Sequence, residues 1–489
     1  MAPSATSPFE TSNEQATLPI LSKQGFNGMI APFPETDSDD LLDLICIGFG
    51  PASLAIAIAL HDAYRASPTA AAPKVLFLEK QPRFAWHSGM QVAGAKMQIS
   101  FLKDLATPRD PTSPFTFTNY LHQNGRLNHF INLGTFLPSR VEYEDYLRWC
   151  ASHFEGCVEY GQDVFTVEAN SDDESGKVTS FDVRAMSTTG VERRQARHVV
   201  IATGGKGIIP PVFQGMKHVT HSSHYVPTIS SIPARPDLKF VVVGSGQSAA
   251  EIFNDLWTRF PEAEIRLVIK GDSLRPSDDS PFVNEIFDPD RVDGIYAEAA
   301  SSRAAALQLN RATNYGVVRL SLLEHIYEAM YMQRFSEPDP SRWRCQILNN
   351  KTVTAARAAS SSTSSSSSSY SSSSSSADDD VSRLVLTLNN GTEEIEADYV
   401  FTATGYQRDA HTDLLGLLTY LAADQRGVFR VARDYRVLLD EGKVSDRAGI
   451  WLQGCNEATH GLSDTLLSIL AVRGGELVQS IFGKDLKSP

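Results

Sequence analysis

The chain has 489 residues, of which 42% are hydrophobic and 21% charged, the composition of a globular protein with two or three domains. Its 44 basic and 58 acidic residues give a formal net charge of −14, which argues against nucleic acid and anionic membranes as partners. The sequence has no apolar run of the roughly 18 residues that span a bilayer and no targeting signal at its start, so we expect a cytoplasmic protein.

Two low-complexity segments interrupt the globular pattern. Residues 1–38 are polar and lack periodicity, which predicts a disordered leader. Residues 360–376 are almost entirely serine and offer almost no apolar surface to offset the entropy of ordering, so we expect a flexible surface loop. Because residues 383–388 alternate as a half-buried strand does, the serine tract is interpreted as an insertion in a hairpin.

The first chemical signal is a glycine turn between an apolar strand and an Ala-rich helix. Residues 42–47 lead directly into Gly-x-Gly-x-x-Ser, where the backbone can approach a pyrophosphate at a helix N-terminus. The next strand, residues 74–79, ends in Glu79, and an acid there suits the unphosphorylated ribose of FAD or NAD. The turn residues predicted to contact this nucleotide are Gly48, Gly50, Pro51 and Ser53.

The same pattern recurs about two hundred residues later. The strand 240–243 leads into a second glycine turn, and the following strand ends in Lys270, where the first unit has its acid. A basic residue there suits the ribose 2′-phosphate of NADPH, whereas an acid would repel it. The swap of charge assigns FAD to the first turn and NADPH to the second, with predicted contacts at Gly244 and Gly246.

Two further strands, 199–201 and 398–402, each run into an Ala-Thr-Gly turn and are interpreted as the points where the chain leaves and re-enters the FAD domain. The fold class predicted from these patterns is α/β, with two dinucleotide-binding, Rossmann-like domains. The FAD domain is expected to be discontinuous, with the NADPH domain inserted. The predicted segments are 39–206 and 396–483 for the FAD domain, and 207–272 and 345–395 for the NADPH domain.

Three classes of two-nucleotide flavoprotein are compared. A disulfide reductase needs a reactive cysteine pair, but the five cysteines are scattered without a CxxC motif, which also argues against a metal site. A flavin-containing or Baeyer–Villiger monooxygenase should show Phe-x-Gly-x-x-x-His, and the match that begins at Phe213 ends in Val219. The chain instead resembles the N-hydroxylating monooxygenases, most closely the fungal L-ornithine N(5)-monooxygenases of siderophore biosynthesis. The resemblance covers residues 41 to 483 and rests on the strings 48–55, 84–90, 96–105, 275–285 and 459–464.

The resemblance implies an enzyme that uses FAD, NADPH and O₂ to hydroxylate the side-chain amine of L-ornithine through a C(4a)-hydroperoxyflavin. The flavin carries the difficult step, so neither a catalytic triad nor a metal is expected. The resemblance also implies a homotetramer and a small helical substrate-binding region at 273–344. Two alternatives stay open: an L-lysine N(6)-hydroxylase, since one methylene gives only roughly 1–3 kcal/mol of discrimination, and an uncoupled flavin NADPH oxidase.

The family's site residues map onto this sequence by motif. Lys103 matches the lysine that pairs with the substrate carboxylate, and Lys270 stands where close relatives carry arginine. The remaining substrate residues implied are Asn284, Asn314 and Ser468, with Asn314 also contacting NADP. The resemblance also implies that Gln247 and Ser248 lie at the phosphate turn of the NADP site. The residues implied to contact FAD beyond the glycine turn are Glu79, Lys80, Trp86, His87, Met97, Gln98 and Leu466.

Overall fold

The computed structural model describes residues 33–67, 70–172, 174–359, 383–391, 393–424 and 426–487. Within these ranges, none of the helices has the length and apolar character needed to cross a membrane. The serine tract 360–376 and residues 1–32 of the predicted leader lie outside the described residues. Phe33 contradicts the predicted leader boundary at 38, because its ring is buried and stacks on Phe154 with a centroid distance of 6.3 Å.

The described strands are β1 Leu41–Ile47, β2 Val75–Glu79, β3 Val158–Tyr160, β4 Asp163–Ser171, β5 Val178–Ser187, β6 Gly190–Ile201, β7 Lys206–Gly207, β8 Val219–His221, β9 Lys239–Val243, β10 Glu264–Val268, β11 Arg275–Pro276, β12 Val317–Val318, β13 Cys345–Leu348, β14 Val353–Ala358, β15 Leu384–Leu388, β16 Glu393–Ala397, β17 Tyr399–Thr402, β18 Tyr406–Gln407 and β19 Gly449–Leu452. The α-helices of the same residues are α1 Pro51–Ala66, α2 Phe117–Gln123, α3 Leu127–Leu133, α4 Arg140–Ala151, α5 Tyr225–Ser231, α6 Gln247–Arg259, α7 Pro281–Asn284, α8 Arg291–Ala297, α9 Ala300–Asn310, α10 Leu320–Ser336, α11 Ala410–Leu414, α12 Glu457–His460 and α13 Leu470–Phe482. The prediction of an α/β protein is confirmed.

The first sheet has the strand order β3-β2-β1-β6-β5-β4, and β19 pairs with β6. Its strands around β1 are parallel, whereas β4 and β5 are antiparallel, so the sheet is mixed. Both faces of β1 are covered, which explains why its sequence is a continuous apolar run rather than an alternating one. Cys46 lies in this strand as a buried free thiol, and desolvation raises the pKa of its thiol well above the usual range.

Helix α1 packs against the C-terminal helix α13 on one face of this sheet. The contact requires Gly474, because a Cβ at that position would lie 2.8 Å from the Ala55 carbonyl oxygen. The close approach brings the chain immediately before α13, which includes Ser468, back to the end of the molecule where the glycine turn lies.

The second sheet is fully parallel, with the order β13-β10-β9-β17-β8. Strand β17 pairs with β9 and β8, so it belongs to this sheet, and the predicted re-entry into the first domain at residue 396 is too early. An apolar strand that ends in a glycine turn has the same local pattern in either sheet, and only its pairing with neighbours decides the assignment. The chain crosses after Gly405, where β18 pairs antiparallel with β7, the segment on which it first leaves.

Two smaller regions complete the fold. Strands β14, β15 and β16 form an antiparallel sheet in which Ala358 pairs with Leu384, so the predicted hairpin on either side of the serine tract is confirmed. The segment 273–344 contains helices α7 to α10, and α10 packs on the core of the second sheet through Ile326 and Met330.

Candidate active site between the two glycine turns

The first glycine turn joins β1 to α1 with a backbone that other residues adopt poorly. Gly48 has φ +93°, and a Cβ there would lie 2.7 Å from the carbonyl oxygen of Ala202. Gly50 is the N-cap of α1, no side chain caps the helix, and a Cβ at Gly50 would meet no atom within 4 Å. The uncapped helix end and the open space beside Gly50 fit a pyrophosphate and, with it, the FAD expected there.

The acid of the second strand reaches this turn. Glu79 is buried, and its carboxylate accepts hydrogen bonds from the N–H of Phe49 at 2.7 Å and of Gln81 at 2.8 Å. A carboxylate held beside the turn suits ribose hydroxyls. Lys80 is exposed and forms an ion pair with Asp163 at 2.7 Å, so the structure does not bring it into the cavity described below.

The second glycine turn repeats this construction at β9 and α6. Gly244 has φ +142°, and a Cβ there would lie 2.4 Å from the Ala403 carbonyl oxygen. Gly246 is the N-cap of α6, again without a side-chain cap. In both turns the first glycine rests on the alanine of an Ala-Thr-Gly segment, a contact that was not predicted. Lys270 is exposed just beyond the end of the next strand.

A cavity of about 340 Å³ lies between the two turns, within the size range of small-molecule sites. It brings together residues that were predicted from several separate parts of the sequence: Trp86, His87, Met97, Gln98, Lys103, Gln247, Ser248, Asn284, Asn314, Leu466 and Ser468. The other predicted residues do not line it: Gly48, Gly50, Pro51, Ser53, Glu79, Lys80, Gly244, Gly246 and Lys270. Most of these lie in or beside the turns, where the phosphate and ribose ends of an extended dinucleotide bind.

Further residues line the cavity that were not predicted. Met90, Lys96, Ile99, Ser277, Asp278 and Asp279 belong to the motif strings noticed in the sequence but were not singled out. The others lie outside those strings: Arg140, Phe287, Thr313, Arg319, Tyr406, Thr465 and Leu467. The cavity wall thus carries the cations Lys96, Lys103, Arg140 and Arg319 and the acids Asp278 and Asp279.

The loop that presents Lys103 is held by a buried carboxylate. Asp104 is 1% exposed and accepts hydrogen bonds from the N–H of Ala106 at 2.9 Å, of Thr107 at 2.6 Å and of Phe117 at 2.7 Å. These contacts fasten the loop to the start of α2, and the backbone of Lys103 is thereby fixed at the cavity. A lysine with a fixed backbone and a mobile ammonium is suited to pairing with a ligand carboxylate.

The loop that carries Ser468 is held by a buried ion pair. Asp464 is 0% exposed and accepts hydrogen bonds from Arg473 at 2.9 Å and from the N–H of Asn456 at 2.7 Å. The Ser468 hydroxyl is buried at the cavity and has no hydrogen-bond partner among the described residues. A buried polar atom without a partner is costly, so a ligand donor or acceptor at this position is expected.

Asn284 and Asn314 also line the cavity. The Asn284 amide donates to the Asp279 carbonyl at 2.8 Å, which leaves its amide oxygen available. Asn314 precedes Tyr315, whose hydroxyl donates to Glu457 at 2.5 Å and contacts Thr465 at 3.2 Å. These contacts anchor the Asn314 segment to the loop that approaches Ser468.

His87 adopts a left-handed backbone with φ +46° and contacts Trp86 edge to face. Its imidazole lines the cavity and is otherwise surrounded by protein. The resulting desolvation, together with the charges of Arg140 and Arg408, lowers the pKa of His87 to about 4. The ring is therefore neutral at physiological pH and can donate or accept a hydrogen bond without adding charge.

Comparisons with known proteins agree with this geometry. The family model for L-lysine 6-monooxygenase/L-ornithine 5-monooxygenase matches residues 40–408. This chain belongs to that family. It is 48% identical to the L-ornithine N(5)-monooxygenase of Emericella nidulans, covering 93% of this chain and 92% of the relative, and 39% identical to that of Pseudomonas aeruginosa, covering 90% and 93%. The family predicted from the sequence is confirmed.

Solved structures of the family have the same fold. The ornithine hydroxylase PvdA from Pseudomonas aeruginosa is 37% identical with a TM-score of 0.79, covering 92% of this chain and all of that one. The ornithine N-hydroxylase KtzI of Kutzneria sp. 744, in a form designated FADred-NADP+-L-orn, is 33% identical with a TM-score of 0.79, covering 91% and 100%.

Proposed function

We propose that this protein hydroxylates the side-chain amine of L-ornithine, using FAD, NADPH and O₂, to give N(5)-hydroxyornithine for hydroxamate siderophores. The observation that carries the proposal is that Lys103, Asn284, Asn314 and Ser468 all line the cavity between two uncapped glycine turns. The relatives named L-ornithine N(5)-monooxygenase and the ligands of the KtzI complex support the choice of substrate and cofactors.

We propose two Rossmann-like nucleotide-binding units, one inserted in the other. The FAD unit comprises 39–206 and 406–483, and the NADPH unit comprises 207–272 and 345–405, with the helical segment 273–344 contributing to the substrate site. The two parallel strand arrangements around β1 and β9 support this division, and the adjacent crossing segments β7 and β18 support the insertion.

In the proposed complex the α1 turn holds the FAD pyrophosphate through Gly48, Gly50, Pro51 and Ser53, and Glu79 holds its ribose. Trp86, His87, Met97, Gln98 and Leu466 would hold the flavin ring, while a contact with Lys80 stays a prediction. The NADPH pyrophosphate lies at Gly244, Gly246, Gln247 and Ser248, with Lys270 at the 2′-phosphate and Asn314 near the nicotinamide end. When bound and reduced, the flavin supplies the activated oxygen.

The chain's own groups orient the amino acid and control its charge. Lys103 pairs with the ornithine carboxylate, and Asn284 accepts a hydrogen bond from the backbone end of the substrate. The partnerless hydroxyl of Ser468 accepts or donates a hydrogen bond at the distal amine. Desolvation in the cavity and the nearby cations lower the pKa of that amine, which must be neutral to act as a nucleophile.

We also propose that the enzyme works in the cytoplasm as a homotetramer. The five cysteines are all free, which suits a reducing compartment. The helix α10 exposes Tyr327, Tyr331 and Phe335 on one face at 66%, 58% and 73%, a spacing that suits contact with another subunit. Light scattering on the purified protein measures the oligomeric state directly.

The test of the function is product analysis with FAD-loaded protein, NADPH and O₂, offering L-ornithine and L-lysine separately. We expect hydroxylated ornithine in proportion to NADPH consumed and much less product from lysine. Hydroxylated lysine as the main product would show that L-lysine, and not L-ornithine, is the substrate. Oxidation of NADPH that yields only hydrogen peroxide with both amino acids would contradict the proposed hydroxylation.

A further inference from the structure

A buried ion pair joins the two nucleotide-binding units beside the cavity. The guanidinium of Arg140, the first residue of α4, donates to both carboxylate oxygens of Glu251 in α6, at 2.8 and 2.7 Å. The side chains are only 12% and 6% exposed. The pair is therefore bidentate, desolvated and placed across the boundary between the first and second units.

The pair is part of a longer chain of hydrogen bonds. Arg140 also donates to the Met90 carbonyl at 2.5 Å, and the amide of Gln247 donates to Glu251 at 2.9 Å. The Gln247 amide oxygen accepts from the backbone N–H of Arg319 at 2.9 Å, and Arg319 donates to the Met97 carbonyl at 2.9 Å. This series of hydrogen bonds begins and ends on the backbone carbonyls of Met90 and Met97, in the segment proposed to face the flavin. Between them it passes through helix α6, which is proposed to hold the NADPH phosphates.

The position of Glu251 separates its role from ligand binding. Arg140, Gln247, Arg319, Met90 and Met97 line the cavity, whereas Glu251 does not. It acts only through the cavity residues that it holds. A buried bidentate pair adds little net stability compared with apolar packing, but it fixes the relative orientation of the two elements that it joins.

We infer that Glu251 is a positioning residue that sets the spacing between the two nucleotide turns, and through it the approach of NADPH to the flavin. The inference rests on the proposed function. Hydride transfer from a bound nicotinamide ring to a bound flavin ring requires the reacting atoms to be about 3–3.5 Å apart. A misplacement of about 1 Å lowers the rate of such a step roughly a hundredfold. Loss of the pair should therefore slow flavin reduction by NADPH while each unit keeps its own fold and nucleotide.

The test uses Glu251→Gln in the FAD-loaded enzyme, because the amide keeps the shape but turns an N–H group toward the Arg140 donors. We expect anaerobic flavin reduction by saturating NADPH, followed by stopped-flow absorbance, to slow by roughly 10- to 100-fold. Flavin content and reduction by dithionite, which does not need the second unit, should stay unchanged. The matched control is Arg259→Lys on the same helix, which disturbs the ion pair with Asp255 inside one unit and should change the rate less than about threefold.

Arg140→Lys provides a second variant if Glu251→Gln does not fold, since it keeps the charge and loses the bidentate contact. Reduction of either folded variant at the wild-type rate would overturn the inference. A change confined to the NADPH dissociation constant would also overturn it, because it indicates ligand binding rather than positioning. If NADPH does not reduce the wild-type flavin at all, the proposed function fails first, and the two failures are thereby distinguished.

Discussion

The two glycine turns have the same backbone construction, and we propose that they hold two different nucleotides. In each turn a glycine with positive φ rests on an alanine carbonyl, and a second glycine leaves the next helix uncapped. The side chains at the ends of the following strands differ, because Glu79 is buried and bonded to its turn whereas Lys270 is exposed. We therefore expect the backbone of each turn to hold a pyrophosphate, and the side chain at the end of the following strand to select the ribose.

The largest effect should come from filling either turn. Gly48→Ala and Gly244→Ala each force a Cβ within 2.7 or 2.4 Å of a carbonyl oxygen at positive φ. In each case the strain should raise the dissociation constant of the nucleotide by about tenfold or more. We expect Gly48→Ala to lose FAD on purification, and Gly244→Ala to stay yellow but to be reduced poorly by NADPH.

The matched control for both is Gly134→Ala, which has φ +61° but meets no atom within 4 Å. It should keep both nucleotides, as judged by flavin absorbance and NADPH oxidation. If Gly244→Ala loses flavin as readily as Gly48→Ala, the assignment of the two turns to different nucleotides is wrong.

The next effect concerns the space between the turns. Lys103→Ala removes the cation proposed to bind the substrate carboxylate, a charged hydrogen bond that contributes about 1.5–3 kcal/mol. The KM for ornithine should rise by roughly 10- to 100-fold, with flavin content and NADPH oxidation retained. Steady-state kinetics beside an exposed control, Lys443→Ala, measure this, and an unchanged KM removes Lys103 from the substrate site.

A smaller effect tests the side chain that distinguishes the second turn. Lys270→Glu places a carboxylate near the proposed 2′-phosphate and should weaken NADPH roughly tenfold more than NADH, which lacks that phosphate. The KM for each nucleotide, compared with that of the wild-type enzyme, gives the preference directly. Equal losses with both nucleotides would mean that Lys270 does not meet the phosphate.

The smallest effect concerns β6, the strand that supports the first turn. Desolvation and the charge of Arg436 lower the pKa of His198 to about 4. In the unfolded chain this imidazole is protonated below about pH 6.5, whereas in the folded protein it stays neutral down to about pH 4. The free energy of unfolding therefore decreases as the pH falls from about 6.5 to about 4, by up to about 3 kcal/mol. Urea unfolding at pH 7 and pH 5 should show a smaller loss for His198→Gln than for the wild type, and equal losses would exclude this histidine as a source.

Much of the site could be predicted because its signals are local. The turns at Gly48 and Gly244 each occupy a few consecutive residues, and short strings around Lys103, Asn284 and Ser468 indicated the family. The structure places the last three in one cavity. The assignment of β17 to the second sheet could not be predicted, since its apolar pattern and glycine turn are the same as those of β6.

The sequence by itself determined the nucleotide turns, the family and the side chains expected at the substrate, because each depends on residues close together in the chain. Only the tertiary structure decided what holds these parts in position. Arg140 and Glu251 are 111 residues apart, and Gly48 rests on the carbonyl of Ala202. Such contacts have no spacing or composition that marks them in a sequence, because they form only when separately folded segments pack together.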